Sequence, residues 1–251
     1  MNKIRIIPTI LYKNFSTVKG KQFDSWRIVG NIKQSVKVYS LREVDELIFL
    51  DINAYKNNKI DFKLIDDFAD DCFMPLTIGG GIKTIEDIRK LLNLGADKIS
   101  INTEAFKNPS FIRKAVTKFG SQCIVISVDY KKNTNGVNEV FIESGKKSTG
   151  LNLVDYLKKI KELNAGEVIL TSIDNEGTMK GYDNNVYKIA CEILESPVIA
   201  SGGCGNPNHM NEVLKYSRVS ALAAASMFHF TEITPLLCKK FLSSKGHKVR
   251  L

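Results

Sequence analysis

Pro75-Leu76-Thr77-Ile78-Gly79-Gly80-Gly81 recurs in outline as Pro197-Val198-Ile199-Ala200-Ser201-Gly202-Gly203. Each copy is a short apolar run ending in consecutive glycines, the pattern of a covered parallel strand that turns into a loop of close backbone approach. A second pair at similar spacing links Glu46-Leu47-Ile48-Phe49-Leu50 with Glu167-Val168-Ile169-Leu170-Thr171. Repeats of this length are too long for solenoid units and predict two halves of one closed structure. Working outward, apolar runs fall at Arg5–Ile10, Glu46–Asp51, Pro75–Ile78, Lys98–Ile101, Cys123–Asp129, Glu167–Thr171, Pro197–Ala200 and Val219–Ala224. Helix-like stretches such as Thr84–Leu94, Ser110–Lys118, Leu153–Leu163 and Asn185–Leu194 lie between them. Eight strand–helix units in 251 residues predict a single (β/α)8 TIM barrel, an α/β fold built from two half-barrel repeats. The structural rival, a doubly wound open sheet, needs a glycine fingerprint after its first strand. Leu11-Tyr12-Lys13-Asn14 contains none, and no linker-like stretch divides the chain, so residues 1–251 read as one domain.

Composition narrows the function. A hydrophobic share of 43% and a charged share of 25% exclude a disordered chain. No apolar run is long enough to span a bilayer. The opening MNKIRIIPTIL is broken by Pro8 and lacks a small-residue cleavage site, so it reads as a first strand and not as a signal peptide. The net charge of +9 comes from 36 basic and 27 acidic residues. The lysines are dispersed and not interleaved with aromatics, which favours anionic small substrates over nucleic acid. Cys72, Cys123, Cys191, Cys204 and Cys238 are widely spaced with no CxxC pair, which suits a reducing cytosol and offers no zinc site. His209, His229 and His247 form no metal-binding pattern, and neither metal nor cofactor is expected.

In this fold the chemistry sits where strands end. Two long loops follow strands, Leu11 to about Trp26 and Tyr130 to about Gly150, the second with a hairpin-like alternation at Glu139–Glu143. Gly80 and Gly81 in one half, and Gly202 and Gly203 in the other, would let backbone N–H groups cradle an anion. Asn102 and Thr103 complete the first cradle and Ser226 the second, so the substrate carries two phosphates. The alternative is that these glycines only relieve crowding at barrel turns. Asp51, Asp129 and Asp174 stand at or just past strand ends, where a carboxylate can move a proton, hold a hydroxyl or cap a turn. Thr171, ending the sixth run, joins them as a substrate contact. Lys19 is a lone loop lysine, ordinarily solvated. At the opposite mouth Arg5, Glu46, Lys98 and Glu167 begin their strands with alternating charge. Two opposite pairs can offset one another's burial, either as a lid or as a gate to the barrel axis.

These residues sit in stretches that resemble, over essentially the whole chain, the cyclase subunit family of imidazole glycerol phosphate synthase, the HisF family. The resemblance is carried by Arg5-Ile-Ile-Pro, Thr17-Val-Lys-Gly, Leu50-Asp-Ile, Thr77-Ile-Gly-Gly-Gly-Ile, Gly95-Ala-Asp-Lys-Ile-Ser-Ile-Asn, Phe119-Gly-Ser-Gln and Thr149-Gly-Leu. It continues through Glu167-Val-Ile-Leu-Thr-Ser-Ile-Asp, Asp174-Asn-Glu-Gly-Thr-Met-Lys-Gly-Tyr-Asp183, Ala200-Ser-Gly-Gly203 and Ala224-Ala-Ser-Met-Phe-His-Phe230. The resemblance implies a HisH-like glutaminase partner at the N-terminal face. Ammonia would pass along the barrel axis to a bisphosphorylated ribulosyl aminoimidazole carboxamide ribotide, giving imidazole glycerol phosphate. It assigns catalysis to Asp129, closure over substrate to Lys19, the gate to Arg5, Glu46, Lys98 and Glu167, and the partner interface to Asp97 and Gln122.

One departure alters the expectation. The family carries Cys-Leu-Asp after its first strand, with a catalytic aspartate; this chain carries Thr9-Ile10-Leu11. Leucine transfers no proton. A divergent paralogue, relaying ammonia beside a sugar amidotransferase in lipopolysaccharide O-antigen synthesis, is therefore the leading expectation. A working cyclase of histidine biosynthesis is the second, and a non-catalytic scaffold or nucleic-acid-binding barrel the third.

Overall fold

Alternation along the first strand sets the architecture. The computed structural model describes residues 3–42, 44–57 and 59–251, and in it Arg5–Lys13 forms β1. Successive side chains of a strand point to opposite faces. Ile6, Ile10 and Tyr12 of β1 therefore join the main core, while Ile7 joins a separate cluster with Ile48, Val125, Ile169, Ile199, Ala221 and Ala223. That second cluster fills the inside of a barrel. The remaining barrel strands are β2 (Leu47–Asp51), β3 (Leu76–Gly79), β4 (Lys98–Ile101), β5 (Ile124–Lys132), β6 (Glu167–Ser172), β7 (Val198–Ser201) and β8 (Ala221–Ala224). Each pairs in parallel with the next, and β8 pairs with β1, so the sheet closes.

Eight helices cover the outside: α1 (Ile32–Leu41), α2 (Phe62–Ala69), α3 (Ile85–Asn93), α4 (Pro109–Phe119), α5 (Leu153–Lys161), α6 (Asn184–Ile193), α7 (Pro207–Tyr216) and α8 (Pro235–Ser244). Their starts follow local chemistry. Thr84 and Asp87 form a reciprocal capping box before α3. Proline opens α4, α7 and α8, where its missing N–H costs no helical bond. The fold is thus the expected (β/α)8 barrel, with the predicted strands and helices differing only at their ends.

The two loops after β1 and β5 are more ordered than expected. Beyond Leu11 the chain turns back as an antiparallel ribbon, Ser16–Lys21 against Asp24–Gly30, with Leu11 paired to Val18. Its turns use Asn14, Phe15, Gln22 and Phe23 at positive φ, so no glycine marked them in the sequence. After β5 a second ribbon, Asn138–Ile142 with Lys147–Asn152, extends the predicted hairpin. The ribbons meet where the Phe23 ring lies against Gly145. Among the described residues no helix is long and apolar enough to cross a membrane.

Candidate active site

The same inner faces carry different chemistry at their two ends. Along β1 the inward positions run from Arg5 at the lower mouth through Ile7 to Thr9 and Leu11 at the upper. Along β6 they run from Glu167 through Ile169 to Thr171. At the lower mouth Arg5 Nη1 lies 2.6 Å from Glu46 Oε1 and 2.7 Å from Glu167 Oε1. Lys98 Nζ lies 2.9 Å from Glu46 Oε1 and 3.1 Å from Glu167 Oε2. Two cations and two anions close a ring in which each charge touches two of opposite sign.

The upper mouth opens into a cavity of about 490 Å³. Its wall includes Thr9, Leu11, Asp51, Gly80, Gly81, Asn102, Thr103, Asp129, Thr171, Gly202, Gly203 and Ser226, so residues expected from all parts of the chain converge here. The glycine turns are sterically required. A Cβ on Gly80 would collide with the Asp51 carbonyl, and one on Gly202 would approach the Ser172 carbonyl to 2.8 Å, both at positive φ. Crowding relief accounts for glycine at these turns, and the same turns line the cavity. Beyond β4 and β8 two short helices, Thr103–Lys107 and Ser226–Phe230, begin at the cavity in matching positions of the two halves. Thr103 Oγ1 accepts the Glu143 N–H at 3.0 Å, which ties the second ribbon to this wall.

Asp129 ends the inward face of β5 and is buried. Asn102 Nδ2 donates to its Oδ2 at 3.2 Å and to the Ser127 carbonyl at 3.0 Å. Burial, reinforced by the charge of Glu176, pushes the Asp129 carboxyl up to about 7. Asp51 Oδ1 accepts the N–H groups of Asn53 and Ala54 at 2.9 and 3.1 Å; burial raises its pKa and these bonds oppose the rise. Asp174 lies outside the cavity wall, with its carboxylate on the Lys132 N–H at 2.9 Å.

Lys19 differs most from a solvated loop lysine. The first ribbon folds it inward, leaves it 1% exposed and sets its Nζ 2.6 Å from the Thr9 carbonyl. Burial pulls its ammonium down to about 8 against the opposing charge of Glu176. Glu176, on the loop after β6, also lines the cavity, although the sequence patterns do not point to it. Its only sequence signal was an acid beside Gly177 in the Asp174–Asp183 stretch. Burial raises its pKa and Lys19 opposes that rise. Leu11 adds an apolar surface to this wall, as the sequence dictates, so the acids lining the cavity are Asp51, Asp129, Glu176, Glu104 and Glu143.

At the other end of the barrel Asp97 is exposed just before β4, with Oδ2 accepting the Leu76 N–H at 2.8 Å. Gln122, exposed before β5, donates to the Phe119 carbonyl at 3.4 Å. Both lie on the face that carries the charged ring.

The model of a family described as histidine biosynthesis protein matches residues 5–234. A provisionally named imidazole glycerol phosphate synthase subunit hisF2 of Campylobacter jejuni is 47% identical over 254 residues, covering 100% of each chain. The imidazole glycerol phosphate synthase subunit HisF of Natranaerobius thermophilus is 43% identical over 248 residues, covering 98% of each.

Proposed function

The chain belongs to the histidine biosynthesis protein family, and from that premise we propose that it is a HisF-like synthase subunit fed with ammonia by a glutaminase. The observation that carries this reading is the division of labour along single strands. β1 and β6 each bear a charge in the lower ring and a polar or cavity-lining residue at the upper mouth. Ammonia released by a HisH-like partner at the Asp97 and Gln122 face would enter the barrel axis at the ring, whose four charges are already paired with one another. Inside, the hydroxyls of Thr9 and Ser100 are buried without protein partners and offer hydrogen bonds on the way to the cavity. There the Gly80–Gly81 and Gly202–Gly203 turns would hold the two phosphates of a ribulosyl aminoimidazole carboxamide ribotide. Asp129, poised near neutral pH, would move protons as ammonia adds to the ketose carbonyl and the imidazole ring closes.

Leu11 favours a second reading. With no acid on that strand, the barrel would deliver ammonia to another acceptor, as a relay beside a sugar amidotransferase in surface-polysaccharide synthesis. One experiment separates them. Purified protein is titrated with the bisphosphorylated ribotide and assayed with ammonium salt. Binding with formation of imidazole glycerol phosphate supports the cyclase. Binding without turnover supports the relay, and failure to bind removes both phosphate cradles from the reading.

A further inference from the structure

Leu11 leaves β1 without a titratable side chain at the cavity, yet a second carboxylate reaches the same space from another strand. We propose that Glu176, set beside Lys19, carries the second proton transfer of this cavity, in the role that Leu11 leaves vacant. The inference rests on the ammonia-using reading above.

Three observations place it. First, Glu176 lines the cavity with Asp129, Thr171 and Leu11. Thr171 is the register partner of Asp129, so the loop that follows β6 rises beside the Asp129 carboxylate. Second, the backbone at Glu176 is held from both sides. Its N–H donates to the Ser172 carbonyl at 2.9 Å, and its carbonyl accepts the Gln22 N–H at 2.8 Å. The next residue, Gly177, packs so closely on the first ribbon that a Cβ would collide with the Gly20 carbonyl. The ribbon that buries Lys19 thus also fixes Glu176. Third, Lys19 spends one of its three donors on Thr9 of β1, the inward residue before Leu11 on that strand. Lys19, within electrostatic reach of Glu176, therefore ties the ribbon to the β1 side of the mouth.

Among the described residues no protein group hydrogen-bonds the Glu176 carboxylate, which lines the cavity where a ligand would lie. The charged and titratable groups facing it are Lys19 on the ribbon, Asp129 on β5, Tyr187 on α6 and Cys204 after β7. Burial raises the carboxyls of both Asp129 and Glu176, and the charge of Glu176 raises Asp129 further, so one cavity holds two carboxyls with raised proton affinity, the raw material for an acid and a base. In the step assigned here, the nitrogen of ammonia bonds to the carbonyl carbon while the C=O pair moves to oxygen and takes the Glu176 proton. The Glu176 carboxylate then recovers a proton from the attached nitrogen and returns it to the hydroxyl, which leaves as water. The resulting iminium gives its proton back to Glu176, so the imine and the protonated acid remain and no redox partner is needed.

The test uses the full chain, the bisphosphorylated ribotide and ammonium salt at constant free-ammonia concentration. Glu176→Gln is expected to bind the ribotide within about threefold of the unmodified protein while kcat falls by roughly 10²–10⁴-fold, the range of a positioned proton-transfer group. It should also lose one limb of the pH–rate profile. Leu11→Asp placed in the Glu176→Gln background should recover at least about tenfold, since it returns a carboxylate to the cavity. Glu176→Gln with kcat within threefold of the parent overturns the proposal. Where Glu176→Gln fails to fold, the profile of the unmodified protein and the shorter Glu176→Asp decide: a single-limbed profile, or full activity with the acid withdrawn, overturns it. Ribotide bound but never turned over sinks this inference and leaves the phosphate-binding reading standing; no ribotide binding sinks the reading itself.

Discussion

Asp129 is the side chain whose chemistry its surroundings change most clearly. A carboxyl lifted to about 7 is favoured in its protonated form inside the fold, whereas in the unfolded chain it ionises near 4. Between those values the native state holds more protons than the unfolded state, so this residue's contribution to stability falls as pH rises from about 4 through 7. Asp129→Asn should accordingly raise the melting temperature at pH 8 by a few degrees, at about 2–4 °C per kcal/mol for a chain of this size, and change it little at pH 4. Calorimetry at the two pH values checks this; an equal shift at both, or a loss at pH 8, contradicts a buried ionised carboxylate. The same variant should bind the ribotide normally and turn it over at least about a hundredfold more slowly, which is the pattern of an interaction made in the transition state.

Strand ends and the turns after them set where these side chains can act. Gly80 and Gly202 bend back over neighbouring carbonyls at positive φ, so alanine at either is strained whatever the space around it. Gly80→Ala should weaken ribotide binding by at least about tenfold through the first cradle, a loss of about 1.4 kcal/mol. Isothermal titration reads this, and unchanged affinity would mean that the turn only relieves crowding. At the other end of the barrel Asp45 joins α8 to β1. Its Oδ1 lies 2.8 Å from Lys239 Nζ, with the two side chains 4% and 6% exposed, and its Oδ2 accepts the Ile6 N–H at 2.8 Å. Asp45→Ala leaves a buried cation and a strand N–H without that acceptor, and should cost about 3–5 kcal/mol in urea unfolding. A cost below 1 kcal/mol would show that water replaces the carboxylate.

Across the barrel, one face carries a charged ring and the other a cavity between two ribbons, and the proposed partner belongs to the ring face. Asp97→Lys reverses a charge there and should weaken binding of the cognate glutaminase by roughly tenfold or more, with salt dependence, as expected for a rim charge. Because Asp97 also accepts the Leu76 N–H, Asp97→Asn serves as the control that keeps an acceptor while removing the charge. Surface-binding titrations with both variants test this. Unchanged affinity in Asp97→Lys places the glutaminase elsewhere.

Much of this was readable along the chain because it depends on local order. Strand periodicity dictates that Arg5 and Leu11 share an inward face, and a repeated apolar run with glycines can only be a repeated turn. The (β/α)8 fold, the charged ring and the convergence of Asp129 with both glycine pairs follow from such patterns, since parallel strands in sequence order bring their ends to one face. Three features were not readable. Lys19 looked like a loop lysine, and its burial depends on a ribbon whose turns carry Asn14, Phe15, Gln22 and Phe23 in place of glycine. Asp174 looked like a strand-end acid, but the bend after β6 spends its carboxylate on Lys132. Glu176 had no pattern of its own, and its place in the cavity depends on Gly177 meeting Gly20 far back in the chain. In each case a loop's path is fixed by contacts between distant segments, and no periodicity within the loop encodes where such contacts will send a side chain.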